Sequence, residues 1–351
     1  MVGSRRLGRP TLTVTQGAGS SMFDGRRREF ITLLGGAAAW PLTARAQQPA
    51  LPFVGFINPG VADTSAGRAA AFRKGLSEAG YTEGKNVIVE YHWLEGHYER
   101  LPAVVDDLVQ RRVAVIATPG STEAARVAKA ATATIPIVFG VAEDPVTLGI
   151  VASLARPGGN ATGINFLSLE VDAKRLGLMR ELVPKATRFA VLVNPANVTP
   201  AESTLKTLKE AARALGLEVL FFSAGTASEI DGAFAAFERE RADALFIGGD
   251  AFFASRSVQI ATLAVRDRLP ASYTSREMVE AGLLMSYGTV FMDMFRQVGI
   301  YAGSVLKGTN PADLPVLQST KFEFVLNLQT ARSLNLDIPP MLLARADEVI
   351  D

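Results

Sequence analysis

The chain contains no cysteine, and only two of its 351 residues are histidine. Without cysteine there can be no disulfide, no catalytic thiolate, no cysteine-ligated metal and no lipid attached to an N-terminal cysteine. His92 and His97 lack the third ligand and the rigid frame that a metal site needs, so we interpret them as exposed polar residues. We therefore predict neither a metal site nor a cofactor.

The charges are nearly balanced overall but are unevenly distributed. The formal net charge is +1, yet residues 1–46 hold seven arginines and only two acids, so the remaining 29 basic and 33 acidic residues give −4. A mildly acidic body offers no electrostatic reason to bind nucleic acid. A length of 351 residues with 48% hydrophobic residues suggests about two domains, each able to bury a core.

The N-terminal segment, residues 1–46, has the pattern of an export signal. Arg26–Arg28 precede the apolar stretch Phe30–Trp40, which is too short to span a bilayer, and Ala44-Arg45-Ala46 fits a cleavage site. Arg27-Arg28-Glu29-Phe30 resembles the core of a twin-arginine signal. Either Met22 is the natural start or the leader is extended. We predict cleavage after Ala46, a periplasmic mature protein and no membrane span in it.

Beyond Ala50, short apolar runs rich in β-formers alternate with helical periods, which indicates βαβ units and parallel sheets. The predicted strands are Phe53–Asn58, Asn86–Tyr91, Val113–Thr118, Pro136–Gly140, Ala161–Phe166, Phe189–Asn194, Glu218–Phe222, Ala244–Gly248, Ala271–Thr274, Leu283–Ser286 and Phe322–Leu326. A long amphipathic helix is predicted at Met292–Lys307, ending at Gly308.

The chain also repeats itself, which predicts two halves built on one plan. Phe53–Pro59 matches Phe189–Pro195, and the helices that follow end at Gly80 and Gly216. Two further pairs of segments recur in the same order: Val113–Thr118 with Ala242–Ile247, and Ile135–Gly140 with Leu269–Thr274.

We therefore predict two Rossmann-like lobes that face each other across a cleft. The N-terminal lobe comprises residues 47–166 and 286–321, and the C-terminal lobe residues 167–285 and 322–351. The chain should cross between them near Leu167, Ser286 and Phe322, and these crossings should act as hinges.

Several stretches resemble the tryptophan/tyrosine-type family of ABC transporter substrate-binding proteins. They are Arg28–Gly36, Gly282–Gly288, Leu306–Gly308 with Pro311–Pro315, and Pro339–Asp347. The resemblance covers nearly the whole mature chain. It implies a type I periplasmic binding protein clamp with three crossings, a small-molecule ligand such as an amino acid or aromatic metabolite, and an ABC permease as partner. We expect a monomer.

Open parallel sheets place ligands at the carboxyl ends of their strands, and the candidate residues follow from that rule. They are Asn58, Thr118, Gly120, Ser121, Phe139, Glu143, Asp144, Asn194, Asp250 and Tyr273. For an amino acid, we expect the carboxylate at the turn Thr118–Ser121, which opens a helix, and the ammonium at Asp250. Glu143 and Asp144 are competing acids. Helix capping by Ser121 or Asp250, and Asx turns at the two asparagines, are the structural alternatives.

Two other functions compete with a transport role. An enzyme is disfavoured because the chain has no G-x-G-x-x-G, G-x-S-x-G or Walker A motif and few nucleophiles. A sensing protein that reports to a membrane receptor would use the same clamp, and the sequence leaves that alternative open.

Overall fold

A computed structural model describes residues 51–166 and 168–351, without the side chains of residues 168–170. Residues 51–351 form one compact unit. The predicted signal peptide, its twin-arginine core, the cleavage site after Ala46 and the hinge position Leu167 lie outside the described residues.

The described chain alternates strands and helices, as the pattern predicted. The first half contains β1 (Phe53–Asn58), α1 (Ala66–Glu78), β2 (Ile88–Trp93), α2 (Leu101–Gln110), β3 (Val115–Pro119), α3 (Thr122–Ala131), β4 (Ile137–Val141) and β5 (Ala161–Asn165). The second half contains α4 (Ser168–Leu182), β6 (Arg188–Val193), α5 (Val198–Leu215), β7 (Glu218–Ser223), α6 (Ala227–Arg239), β8 (Ala244–Ile247), α7 (Ala251–Ser255), α8 (Ser257–Arg266), β9 (Ala271–Tyr273), α9 (Arg276–Glu280) and β10 (Met285–Thr289).

The remaining elements are α10 (Phe291–Leu306), β11 (Leu317–Gln318), β12 (Phe322–Asn327), α11 (Leu328–Ser333), α12 (Pro340–Leu343) and β13 (Glu348–Ile350). Short 3-10 helices occur at Asp63–Ser65, Tyr98–Arg100 and Pro311–Asp313. Strands β11 and β13, of two and three residues, are not among the predicted strands. No helix in the described ranges is long and apolar enough to cross a membrane.

The two sheets share one topology, which confirms the repeat. Their orders are β11-β5-β4-β3-β1-β2 and β13-β12-β10-β9-β8-β6-β7, so β1 to β5 correspond one by one to β6 to β10. Pairing among these ten strands is parallel, whereas β12 runs antiparallel to β10. Helices cover both faces of each sheet, which is why strands such as β3 are buried along their whole length.

The chain crosses between the sheets three times, and the crossings are bonded to one another. The Thr289 hydroxyl donates to the Phe166 carbonyl (3.0 Å), the Val290 amide to the Lys321 carbonyl (3.0 Å) and the Ser319 amide to the Asn165 carbonyl (2.8 Å). The second crossing follows Thr289, three residues beyond the predicted Ser286. The reason is that β10 stays paired with β12 as far as Thr289, a long-range register that no local pattern records.

Helix α10 returns to the first lobe and packs closely on α1. A Cβ atom on Gly299 would overlap the backbone carbonyl oxygen of Phe72, and one on Gly75 would overlap that of Arg296. The two glycines therefore set the distance between these helices. That distance matters for the site, because the first turns of both helices border the cleft.

Candidate ligand cleft between the lobes

A cavity lies between the lobes, at the carboxyl ends of the strands in both sheets. It encloses about 890 Å³ between atoms, including the part that is open to solvent. The first lobe and the crossings contribute Asn58, Arg68, Tyr98, Gly120, Thr122, Ala142, Phe166, Thr289, Phe291 and Phe295. The second lobe contributes Val171, Asp172, Asn197, Pro200, Thr204, Gly249, Asp250, Ala251, Ala254, Tyr273, Thr274, Ser275 and Gly288. This is the position expected for a ligand in an open α/β fold.

Four of the ten predicted site residues line this cavity: Asn58, Gly120, Asp250 and Tyr273. Asn58 also forms the Asx turn that was its structural alternative, since its Oδ1 accepts from the Gly60 amide (2.9 Å). Its Nδ2 donates to the Pro119 carbonyl (2.9 Å), which ties the end of β1 to the end of β3.

The other six predicted residues are not part of the described lining. Phe139 is fully buried in a core cluster on one face of the first sheet, packed with residues of α2 and α3. Asp144 is exposed and accepts from the Val146 amide (2.9 Å) and the Thr147 hydroxyl (2.8 Å), so it shapes a turn.

Thr118, Ser121, Glu143 and Asn194 are buried directly behind the lining. Ser121 caps α3, with its Oγ accepting from the Ala124 amide (3.1 Å). Glu143 accepts from the hydroxyl of Thr122 (2.6 Å), which does line the cavity. Burial raises the pKa of Glu143, and its Oε1 has no hydrogen-bond partner among the described residues.

Asp250 is the centre of a buried hydrogen-bond network that joins the lobes. Its Oδ1 accepts from Asn194 Nδ2 (2.9 Å) and from the Phe252 amide (2.9 Å), which caps α7. Its Oδ2 accepts from Asn197 Nδ2 (2.8 Å) and, across the cleft, from the Tyr98 hydroxyl (3.0 Å). Burial raises the pKa of Asp250, and the side-chain donors oppose that rise.

Tyr273 is hydrogen-bonded to the backbone of Asp250. Its hydroxyl donates to the Asp250 carbonyl oxygen (2.6 Å), and burial raises its pKa to about 12. Burial also raises the pKa of Tyr98. Both phenols therefore remain protonated donors at physiological pH.

A second contact between the lobes joins the N-terminal halves of α3 and α5. The Thr199 amide donates to Glu123 Oε1 (3.1 Å), and Arg126 Nη1 donates to the Thr199 hydroxyl (3.3 Å). Together with the bond from Tyr98 to Asp250, these contacts hold the lobes in a closed arrangement.

Two charged side chains in the lining were not predicted from the sequence. Arg68 lies in the first turn of α1, and Asp172 lies near the start of α4, on the facing lobe. Asp172 pairs with the fully buried Arg175 (3.1 Å), whose guanidinium carbon is 3.9 Å from the centroid of the Phe246 ring. Burial raises the pKa of Asp172 and lowers that of Arg175.

The aromatic part of the lining was missed as well. Phe166 and Phe291 lie at two of the crossings and form an edge-to-face pair with ring centroids 5.5 Å apart. Phe166 follows β5 and Phe291 follows β10, so the strand-end rule could have found both. Arg68 and Asp172 belong to the helices after β1 and β5, and a search of the first two turns of those helices would have included them.

Known proteins of similar sequence and similar fold identify the family of this chain. A curated relative, the tyrosine-binding protein of Clostridioides difficile (strain R20291), is 27% identical over 266 residues, which are 76% of this chain and 75% of that protein. A crystal structure of a conserved domain protein from Vibrio cholerae matches with a TM-score of 0.77 and 27% identity, over 85% of this chain and 99% of the other. The domain from Streptococcus pneumonia solved with L-Trp matches with a TM-score of 0.76 and 24% identity, over 86% and 100%.

The family model for ABC transporter substrate-binding proteins matches residues 61–350, which is nearly all of the described chain. The two facing parallel sheets are the fold seen in periplasmic binding proteins. The chain therefore belongs to the family of ABC transporter substrate-binding proteins and is the solute-binding component of such a transporter.

Proposed function

We propose that this protein binds an amino acid with an aromatic side chain in the cleft and delivers it, chemically unchanged, to the permease of an ABC importer. One observation carries the proposal: the cleft combines charged side chains of both signs with aromatic rings. Arg68 lies on one lobe and Asp172 and Asp250 on the other, while Phe166, Phe291 and Phe295 supply an apolar wall. The relative named a tyrosine-binding protein supports the same class of ligand.

The charge arrangement suits a zwitterion for a simple energetic reason. An amino acid that enters a closed cleft must bring both its carboxylate and its ammonium out of bulk water, and burying either charge without a partner is costly. A neutral aromatic compound would leave Arg68 without a polar partner in the cleft. A dicarboxylic acid would place two negative charges beside one arginine and two acidic side chains, so one of its charges would lack a partner.

A thermal-shift screen tests the ligand class. The twenty amino acids should be compared with tyramine, 3-(4-hydroxyphenyl)propionate and 3,4-dihydroxybenzoate on the mature protein. A ligand present at 100 times its Kd stabilises the protein by about 2.7 kcal/mol, which is readily measured. We expect an aromatic amino acid to give the largest shift. Stabilisation by 3,4-dihydroxybenzoate but by no amino acid would refute the amino-acid assignment.

Export is the second part of the proposal. We infer that residues 1–46 direct the chain to the periplasm, that cleavage follows Ala46 and that the twin-arginine route is used. Changing Arg27 and Arg28 to Lys should then trap the precursor in the cytoplasm, which cell fractionation would detect. Normal export of that double variant would refute the twin-arginine route and leave a general secretory signal as the explanation.

A further inference from the structure

Arg68 is a cation that faces the cavity without a polar partner. Its guanidinium carbon is 5.6 Å from the centroid of the Phe291 ring, and it forms no hydrogen bond or ion pair with any described residue. Arginine stays protonated in proteins and carries five donors in a planar fork that matches a carboxylate. The first lobe therefore presents an unused anion-binding group to the cleft.

Asp172 faces the same cavity from the second lobe and is only partly used as an acceptor. It is 2% exposed; its Oδ1 accepts from Arg175 Nη2 (3.1 Å) and its Oδ2 from the Thr204 hydroxyl (2.9 Å). A carboxylate has about four lone-pair sites, so about two remain on Asp172 for a ligand donor.

Asp250 differs from Asp172 in this respect. Its two oxygens already accept four hydrogen bonds, from Tyr98, Asn194, Asn197 and the Phe252 amide. By the same count, about four lone-pair sites of the Asp250 carboxylate are occupied, and none remains to accept a hydrogen bond from an ammonium. Hydrogen-bond capacity therefore favours Asp172 over Asp250, the acid chosen from the sequence.

Building on the proposed function, we propose that Arg68 binds the α-carboxylate of the amino acid and that Asp172 accepts a hydrogen bond from its α-ammonium. Asp250 then serves to link the lobes. Because the two charged residues lie on opposite lobes, a zwitterion that contacts both is held fully only when the cleft is closed. This assignment moves the carboxylate away from the turn Thr118–Ser121, whose Gly120 amide already donates to the Gly140 carbonyl (3.0 Å).

The test pairs variants with ligands that lack one charge. Titration calorimetry is performed on the wild type, Arg68→Met and Asp172→Asn with L-tyrosine, tyramine, which lacks the carboxylate, and 3-(4-hydroxyphenyl)propionate, which lacks the ammonium. If the screen returns another amino acid, its own amine and acid analogues replace these. Removing one member of a buried charge pair should weaken L-tyrosine binding by about 30-fold or more.

The pattern across ligands identifies the contact. Arg68→Met should weaken L-tyrosine but leave tyramine within about threefold, whereas Asp172→Asn should weaken L-tyrosine and leave the propionate within about threefold. Arg73→Met is the matched control, because Arg73 lies on the same helix, 5.9 Å from the Tyr91 ring, outside the described lining. It should leave all three affinities unchanged.

Folding does not limit the test. Asp172→Asn deprives the buried Arg175 of its counter-ion and could destabilise the protein, but Arg68 has no polar partner to lose, so Arg68→Met should keep the wild-type melting temperature. A folded Arg68→Met that binds L-tyrosine as wild type does, or that loses tyramine equally, overturns the inference and returns the carboxylate to the turn. Failure of the wild type to bind any amino acid overturns the proposed function itself.

Discussion

Tyr98→Phe removes a single hydroxyl that joins the two lobes. Tyr98 belongs to the 3-10 turn Tyr98–Arg100 of the first lobe, and its hydroxyl donates to Asp250 Oδ2 on the second lobe (3.0 Å). In an open clamp both groups would be hydrated, so this bond stabilises the closed state alone. Tyr98 is 9% exposed and its ring retains its packing as phenylalanine, so the substitution removes the hydroxyl bond alone.

The expected magnitude follows from the charge of the acceptor. A hydrogen bond to a charged group contributes about 1.5–3 kcal/mol, and about 1.4 kcal/mol corresponds to a tenfold change in affinity. Asp250 Oδ2 keeps its second bond, from Asn197 (2.8 Å), so the carboxylate is not left unpaired. We therefore expect the low end of the range, about tenfold weaker binding, and a similar loss for every ligand that closes the cleft.

Calorimetric titration with L-tyrosine and small-angle scattering measure the two consequences. The variant should bind more weakly, and its unliganded radius of gyration should equal or exceed that of the wild type, since hinge closure accompanies ligand binding in this architecture. Tyr301→Phe is the control, because the Tyr301 hydroxyl donates to the Pro315 carbonyl (2.8 Å) within the first lobe. A folded Tyr98→Phe with an affinity within threefold of wild type would refute the coupling of this bond to closure.

Three further predictions concern stability. Gly299→Ala forces a methyl group against the Phe72 carbonyl and should lower the free energy of unfolding, measured in urea titrations, by about 1–3 kcal/mol. The control is Gly232→Ala, which has open space around it and should stabilise α6 slightly. Equal effects of the two substitutions would contradict the close contact between α1 and α10. Burial raises the pKa of Glu143 above 4.5, so its stability contribution is present below pH 4.5 and is lost as pH rises through the folded pKa. Glu143→Gln should therefore melt higher than wild type at pH 8 and lose that advantage toward pH 4.5, and an advantage that does not vary with pH would contradict this reading. Asp250→Ala leaves buried donors unpaired and should destabilise the closed protein by at least about 2 kcal/mol, and a loss below about 0.5 kcal/mol would argue against the network.

The sequence by itself determined the position of most strands, several helix ends and the repeat. Strand β1 has the predicted bounds, Gly216 ends α5 in the left-handed conformation (φ 67°), and Asp250 caps the helix that follows it. These features are encoded within a few residues of each other, through alternation, glycine geometry and short-range capping. The repeat was visible because both halves use the same local signals in the same order.

Only the tertiary structure decided which charged side chains line the cleft and which of them can still bind a ligand. Asp250 is filled as an acceptor by Tyr98, Asn194 and Asn197, residues 53 to 152 positions away. Arg68 and Asp172 come together from helices that follow β1 and β5, and nothing local distinguishes them from other charges on helices. A side chain's free hydrogen-bonding capacity depends on which distant donors and acceptors surround it, and that is settled when the sheets, helices and crossings pack together.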